Sequence, residues 1–248
     1  MKYKALICDV DGTHVPNHAG GTLSQKVIEA IARAKDVIHV GIATARPYPD
    51  SLSLAEELAL SGPSIIQSGG QIIDFSTNTL YRQHELTEED TRNIQKVIKK
   101  FHIEEVGEDR NAFLSNESVT KESILAYYLP NLHPKKADEV IMGFADMVTI
   151  IAQKIPSWGH LGYIDISIGP AQATKQHGIL EVAKILGIST HEIIGIGDGY
   201  NDFPLLMACG LKVAIGNAVE DLKAIADYVA PTVEEDGVVD VIEKFVLQ

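Results

Sequence analysis

The feature that most constrains this chain is a series of short apolar runs, each closed by a polar cluster and separated by stretches of helical periodicity. Ala5 to Val10 is an apolar run ending in acids, the pattern of a strand buried on both faces. Ser24 can cap a helix to about Lys35, with Val27, Ile28, Ile31 and Ala34 at helical spacing. Val37 to Ala43 reads as a second buried strand. Pro47 or Pro49 opens a helix to about Leu60, broken by Gly62-Pro63, and Ser64 to Gln67 is a third strand. The last third repeats this grammar. Helices are expected over about Ala173–Leu186, Asp202–Ala208, Val219–Ala226 and Val238–Leu247, with strands at Glu192–Gly197, Lys212–Ile215 and Tyr228–Ala230. Such alternation predicts an α/β fold with a doubly wound parallel sheet.

The middle has another rhythm. A polar helix is expected from Thr87 to Phe101, with Thr87 and Asp90 as a capping box, and a second from about Lys135 to Asp146. Strand-like runs lie at Ile103–Val106, Ala112–Leu114, Ile124–Leu129, Val148–Ala152 and Gly162–Ile168. Residues 81–168 therefore read as an α+β module inserted into a core made of 1–80 and 169–248. Its hinges are expected near Asp74–Leu80 and Gly169-Pro170.

In an open parallel sheet the ligand crevice lies at the carboxyl ends of the strands. Four polar clusters fall there: Asp9-Val10-Asp11-Gly12-Thr13, Thr44-Ala45-Arg46, Lys175, and Gly197-Asp198-Gly199-Tyr200-Asn201-Asp202. Asp9 and Asp11, two apart, share a side of an extended chain. One can attack phosphorus while the other gives a proton to the leaving oxygen and later activates water. Asp198 and Asp202 add charge that calls for a cation, and an all-oxygen ligand set suits Mg²⁺. Lys175 supplies a fixed positive charge. Thr44 offers a hydroxyl and a backbone N–H to phosphoryl oxygens. Phosphoryl transfer needs mainly positioning and charge stabilisation, and this inventory provides both.

The formal net charge of −13 argues against a nucleic-acid or anionic-membrane partner. No stretch approaches the roughly 18 apolar residues of a membrane helix. Cys8 and Cys209 form no CxxC pair and read as buried core residues in a reducing compartment, so a cytoplasmic location is expected. The sequence carries no sign of an oligomeric state.

The motif Asp9-Val10-Asp11-Gly12-Thr13 resembles the first motif of the haloacid dehalogenase (HAD) superfamily of phosphatases. Ile42-Ala43-Thr44-Ala45-Arg46 resembles the second, Lys175 the third, and Gly197-Asp198 with Asn201-Asp202 the fourth. The resemblance spans nearly the whole chain, and the large insert falls where the Cof-type subgroup carries its α/β cap. It implies hydrolysis of a small phosphorylated metabolite, such as a sugar phosphate, through an aspartyl-phosphate. Asp9 is then the nucleophile, Asp11 the general acid/base, and Thr44 and Lys175 the phosphoryl holders. Mg²⁺ is implied on the Asp9 carboxylate, the Asp11 carbonyl and Asp198, with Asn201 or Asp202 supporting. Arg46 becomes a substrate or cap contact, although it can equally pair with a surface acid. The subgroup's Asn-Gly-Ala turn is Gln67-Ser68-Gly69-Gly70 here, with Ser68 where the asparagine would stand, which puts Ser68 and Gly69 beside substrate or leaves Gly69-Gly70 as a plain turn. Gln176 stands for the usual glycine after the motif lysine, and Thr-Ala-Arg for Thr-Gly-Arg. Trp158 and His160, in the cap loop Ser157–His160, either cover a substrate face or anchor the cap's own core. His14 and His18 follow the nucleophile and either meet the leaving group or face solvent. Rival outcomes on the same residues are phosphoryl return to a sugar (a transferase or mutase) and a non-catalytic binding module.

Overall fold

The computed structural model describes residues 2–17, 21–110, 123–157, 160 and 162–248. The expected strand at 112–114, His18 and Trp158 lie outside the described residues. The first third runs β1 (Ala5–Cys8), α1 (Gln25–Lys35), β2 (His39–Ile42), α2 (Tyr48–Glu57), β3 (Ser64–Ile66), β4 (Gln71–Asp74) and β5 (Thr79–Gln83). The middle holds α3 (Glu88–Lys100), β6 (Gly107–Arg110), β7 (Ile124–Leu132), α4 (Pro134–Met142), β8 (Ile150–Pro156) and β9 (Ile164–Pro170). The last third runs α5 (Lys175–Leu186), β10 (Ile193–Gly197), α6 (Phe203–Ala208), β11 (Leu211–Ala214), α7 (Glu220–Ile225), β12 (Tyr228–Val229) and α8 (Gly237–Phe245).

Five strands form a parallel sheet in the order β12-β11-β10-β1-β2, and a parallel bridge between Ala43 and Ile65 sets β3 beside β2. Every residue of β1 and β10 is buried, which explains their uninterrupted apolar sequences. The crossover from β1 leads outward through α1 to β2, and that from β10 leads the opposite way through α6 to β11. Right-handed crossovers running in opposite directions put their helices on opposite faces. Accordingly α1 packs with α8, and α6 with α5. The sheet is doubly wound, and its switch point lies between β1 and β10.

A second sheet, antiparallel in the order β6-β7-β9-β8, has its own hydrophobic cluster with α3 and α4, built on Ile94, Ile98, Tyr127, Leu129, Val140 and Ile166. The caps follow the sequence. Ser24 Oγ accepts from Val27 N–H at 3.2 Å, Thr87 and Asp90 close a full capping box, and Gly187 ends α5 with φ 66°. Among the described residues no helix is long and apolar enough to cross a membrane.

Residues 74–80, expected as a hinge, form the turn of the β4–β5 hairpin, which continues to Gln83. Asp74 Oδ1 accepts from the Ser76 N–H and hydroxyl at 2.9 and 2.7 Å, and Asn78 supplies a positive φ of 52°. The other expected hinge, Gly169-Pro170, is paired along β8. The run Ile103–Val106 is not a strand. Ile103 and Val106 are apolar because they pack on the second cluster, and pairing with β7 begins only at Gly107.

Candidate active site

The loop after β1 is built by its backbone. Asp9 N–H donates to Ile196 O at 2.8 Å, which keeps the chain zipped to β10 for one residue beyond the strand. Val10 O then accepts from the N–H groups of Thr13, His14 and Val15, and Gly12 N–H closes onto Val15 O at 2.7 Å. Gly12 takes φ 84°, and a Cβ there would sit 2.2 Å from Asp198 Oδ2. Glycine thus lets two acidic loops from neighbouring strands touch. Asn217, absent from the sequence reading, ties the loop down. Its Nδ2 donates to Gly12 O at 2.8 Å, and its Oδ1 accepts from Val233 N–H at 2.9 Å. The available signal was its place just after β11, at the same end of the sheet.

Lys175 opens α5, whose cap is Thr174, and its Nζ lies 2.5 Å from both Asp9 Oδ1 and Asp202 Oδ1. The lysine side chain is 1% exposed and that of Asp202 0%. Burial opposes the charge on Lys175, but Asp202 and Asp9 overcome it and raise its pKa. Burial first, and then the charge of Asp202, pushes the Asp9 carboxyl well above the carboxylate range, with Lys175 pulling it back. Asp198 is raised likewise, by burial and then by Asp9 and Asp202. One lysine is too little positive charge for this cluster.

Asp9, Asp198 and Asp202 each bring one carboxylate oxygen within 4.8 Å of the others. They do not contribute alike. Asp202 has Oδ1 on Lys175 and Oδ2 on the N–H groups of Asp198 and Gly199, both at 3.0 Å. It braces the loop, while Asp9 and Asp198 carry the charge that a cation would neutralise. A hard divalent cation with oxygen ligands fits this donor set.

A small cavity of about 60 Å³ is lined by Asp9, Asp11, Asn17, Ala45, Ile155, Asp198, Gly199 and Asn201. It shares Asp11, Ala45 and Ile155 with a larger one of about 640 Å³, also lined by Arg46, Pro47, Asp50, Tyr128 and Asp165. Asn17, Asp50, Tyr128, Ile155 and Asp165 escaped the sequence reading. The last three stand on strands of the antiparallel sheet, which no local motif assigns to this cleft.

The remaining predicted residues divide. Arg46 binds Asp11 through Nε at 3.0 Å and Nη2 at 2.5 Å, so the acid it meets is the one two residues beyond Asp9. Thr44 is buried, but its N–H is not available to a ligand, because it donates to Ile65 O at 3.0 Å in joining β2 to β3. Its hydroxyl accepts from Arg46 N–H at 3.1 Å and keeps its own proton to give. Ser68, at φ 57°, donates its N–H to Thr44 O. Gly69 has φ 110°, and a Cβ would fall 2.1 Å from Thr174 O. The turn therefore braces the start of α5, and neither Ser68 nor Gly69 lines either cavity. His160 is exposed against the Tyr163 ring and lines neither cavity.

His14 is buried, and neither ring nitrogen has a hydrogen-bond partner among the described residues. Burial lowers its pKa to about 4 from an ordinary 6.5. The unfolded chain therefore binds the extra proton between those values. The stability this group allows is intact above about pH 6.5 and is lost as pH falls towards 4, by about 3 kcal/mol in full. His14→Leu is expected to raise stability by about 1–3 kcal/mol at pH 7, because it removes unpaired buried polar atoms. The gain over wild type should widen on acidification to pH 4, as read by denaturant melts; equal acid sensitivity in both proteins contradicts this.

The family model for haloacid dehalogenase-like hydrolases matches residues 6–153 and 131–242. A phosphoglycolate phosphatase from Methanobrevibacter smithii is 27% identical over 248 residues, covering 100% of each chain. A 5-amino-6-(5-phospho-D-ribitylamino)uracil phosphatase from Bacillus subtilis is 26% identical, covering 98% of this chain and 96% of its own. The fold is similar to that of a HAD subclass IIB sugar phosphatase, with TM-score 0.78 and 24% identity over 98% of both chains. With the four motifs gathered at one switch point and the family model spanning nearly its whole length, this chain belongs to the haloacid dehalogenase-like hydrolases.

Proposed function

We propose that this protein is a Mg²⁺-dependent phosphatase of small phosphate monoesters that works through an aspartyl-phosphate on Asp9. The observation that carries the reading is the buried pair of Asp9 and Lys175, 2.5 Å apart behind a small acidic cavity that opens into a larger one. Residues 1–80 and 169–248 act as the catalytic core, and 81–168 as a cap whose Tyr128, Ile155 and Asp165 form the outer wall. The relatives named as phosphatases support the reaction class, and their named substrates are all small phosphorylated compounds.

In this account an Asp9 oxygen attacks phosphorus as the ester P–O bond breaks, and Asp11 gives a proton to the departing oxygen. Asp11 then takes a proton from water, whose oxygen attacks phosphorus and frees Asp9. Lys175 and the Thr44 hydroxyl stabilise charge on the phosphoryl oxygens. Arg46, bonded to both Asp11 oxygens where the two cavities meet, orients that carboxyl; when one oxygen carries the proton to be given, the guanidinium holds Asp11 by the other. The Asp9 and Asp198 carboxylates and the Asp11 carbonyl would hold Mg²⁺, with Asn201 and Asp202 supporting them. When bound, the cation supplies the positive charge that this cluster lacks and draws phosphate into an otherwise repulsive site.

Phosphate release from a panel of sugar phosphates and small phosphomonoesters tests the reading. Release with Mg²⁺ that stops in EDTA and returns on adding Mg²⁺ is the expected result. Release undiminished by EDTA would remove the metal from the account, and isomerised sugar phosphate in place of free phosphate would turn it into a mutase.

A further inference from the structure

We infer that the larger cavity selects a leaving group that is rich in hydrogen-bond donors and carries no negative charge, and that Asp165 and Asp50 impose the choice. The inference rests on the phosphatase reading of the adjoining small cavity.

The two cavities share Asp11, Ala45 and Ile155, so whatever departs from a phosphoryl group in the small one occupies the large one. At about 640 Å³ the space suits a leaving group well beyond two or three carbons. Its polar chemistry is one-sided. Among the described lining residues the one cation is Arg46, and its guanidinium is bonded to both oxygens of Asp11. The Tyr128 hydroxyl donates to Ala45 O at 3.0 Å. Arg46 also reaches Asp50, whose backbone O accepts from Nη1 at 3.5 Å, so one guanidinium is shared between two acids. The side chains of Asp50 and Asp165 remain to meet a ligand, and a carboxylate only accepts hydrogen bonds. The complementary partner is a hydroxyl or ammonium group. A carboxylate on the leaving group would face two like charges in a cleft of partial dielectric.

Asp165 is held for this task. Its Oδ1 accepts the N–H of Asn131 at 2.8 Å. Asn131 has a left-handed backbone, φ 57°, at the irregularity in β7 between Leu129 and Leu132. Its own side chain accepts from Ser157 Oγ at 2.8 Å. A bulge of this kind re-aims one residue without disturbing the rest of the ladder. Here it presents the donor that fixes Asp165 at the rim of the cavity.

Three esters with the same six-carbon skeleton separate charge from size: glucosamine 6-phosphate, glucose 6-phosphate and 6-phosphogluconate. Each is assayed with the full chain and Mg²⁺ as a substrate, and as an inhibitor of p-nitrophenyl phosphate hydrolysis. The expected order of kcat/KM, and of affinity as inhibitor, is amine, then hydroxyl, then carboxylate, with roughly tenfold or more between the first and last. Asp165→Asn keeps an acceptor for Asn131 N–H and should narrow that gap, chiefly by improving 6-phosphogluconate. Equal or better use of 6-phosphogluconate by the wild type overturns the inference, and would mean that Arg46 leaves Asp11 for the substrate. An unchanged gap in Asp165→Asn also overturns it. Phosphate release from p-nitrophenyl phosphate with the reversed order sinks this inference alone. No release from any ester sinks the phosphatase reading and this inference with it.

Discussion

Asp9→Asn is expected to lower turnover by roughly 10⁵-fold or more, the scale of losing a covalent nucleophile, without loss of fold. The amide has no charge to attack with and cannot form the acyl-phosphate. Stability should move the other way. Burial and the neighbouring Asp202 hold the Asp9 carboxyl well above the ordinary range, so its ionised form is costly in the metal-free fold. The sign follows from linkage. A carboxyl with a raised folded pKa penalises the native state above that pKa, and a neutral side chain lifts the penalty. Lys175 still keeps its partner Asp202 at 2.5 Å. In EDTA at pH 8, Asp9→Asn should therefore melt at or above the wild-type temperature. A variant that melts well below wild type would mean that Asp9 is structural, and retained turnover would mean that it is not the nucleophile.

Lys175→Met is expected to cost about 3–5 kcal/mol of stability in addition to activity, the usual result of removing one partner from a buried ionic cluster. Among the described residues the ammonium is the one group within hydrogen-bond distance of both Asp9 and Asp202, and its side chain is 1% exposed. Without it two buried carboxylates face each other uncompensated. Adding Asp202→Asn should return about 1 kcal/mol or more, because one charge is then gone and an amide oxygen can still accept from the Asp198 and Gly199 N–H groups. Turnover should stay lost in the double variant. Urea melts of the two variants read this directly. A Lys175→Met protein as stable as wild type would show that the cluster does not depend on the lysine, and recovery of activity in the double variant would deny the lysine its part in phosphoryl binding.

Much of this arrangement was legible in the chain itself, for identifiable reasons. β1 and β10 are buried on both faces, so their sequences are apolar without interruption, and the polar residues can appear only where each strand ends. The chain order of Asp9, Thr44, Lys175 and Asp198 then maps onto one edge of the sheet. What stayed hidden depends on contacts distant in sequence. The Arg46–Asp11 pair spans 35 residues and the Asn217–Gly12 bond 205. Asp165 and Tyr128 sit on an antiparallel strand pair whose alternation says which residues leave the hydrophobic cluster, but not that they turn towards Ala45 and Arg46. Thr44 shows the opposite failure. Its residue type suited the task, yet the β3 pairing consumed its N–H. Gly69 is a turn glycine whose missing Cβ makes room for the Thr174 carbonyl, a contact across more than a hundred residues that no local pattern announces.

The difference between Asp9 and Asp202 illustrates how position sets chemistry for identical side chains. Asp202 has both oxygens satisfied by Lys175 and two backbone N–H groups, whereas among the described residues the Asp9 carboxylate accepts from Lys175 on one oxygen. A brace must be saturated, whereas the nucleophile proposed at Asp9 must not be.

The central claim is that Asp9 itself takes the phosphoryl group. The most direct test is to quench the protein in acid during turnover of a substrate identified in the phosphate-release panel, digest it, and locate the added mass of one phosphoryl group by mass spectrometry. That mass is expected on the peptide containing Asp9, absent without Mg²⁺ and absent in Asp9→Asn. A phosphoryl group on any other residue, or full turnover with an unmodified Asp9 peptide at every quench time, would contradict it.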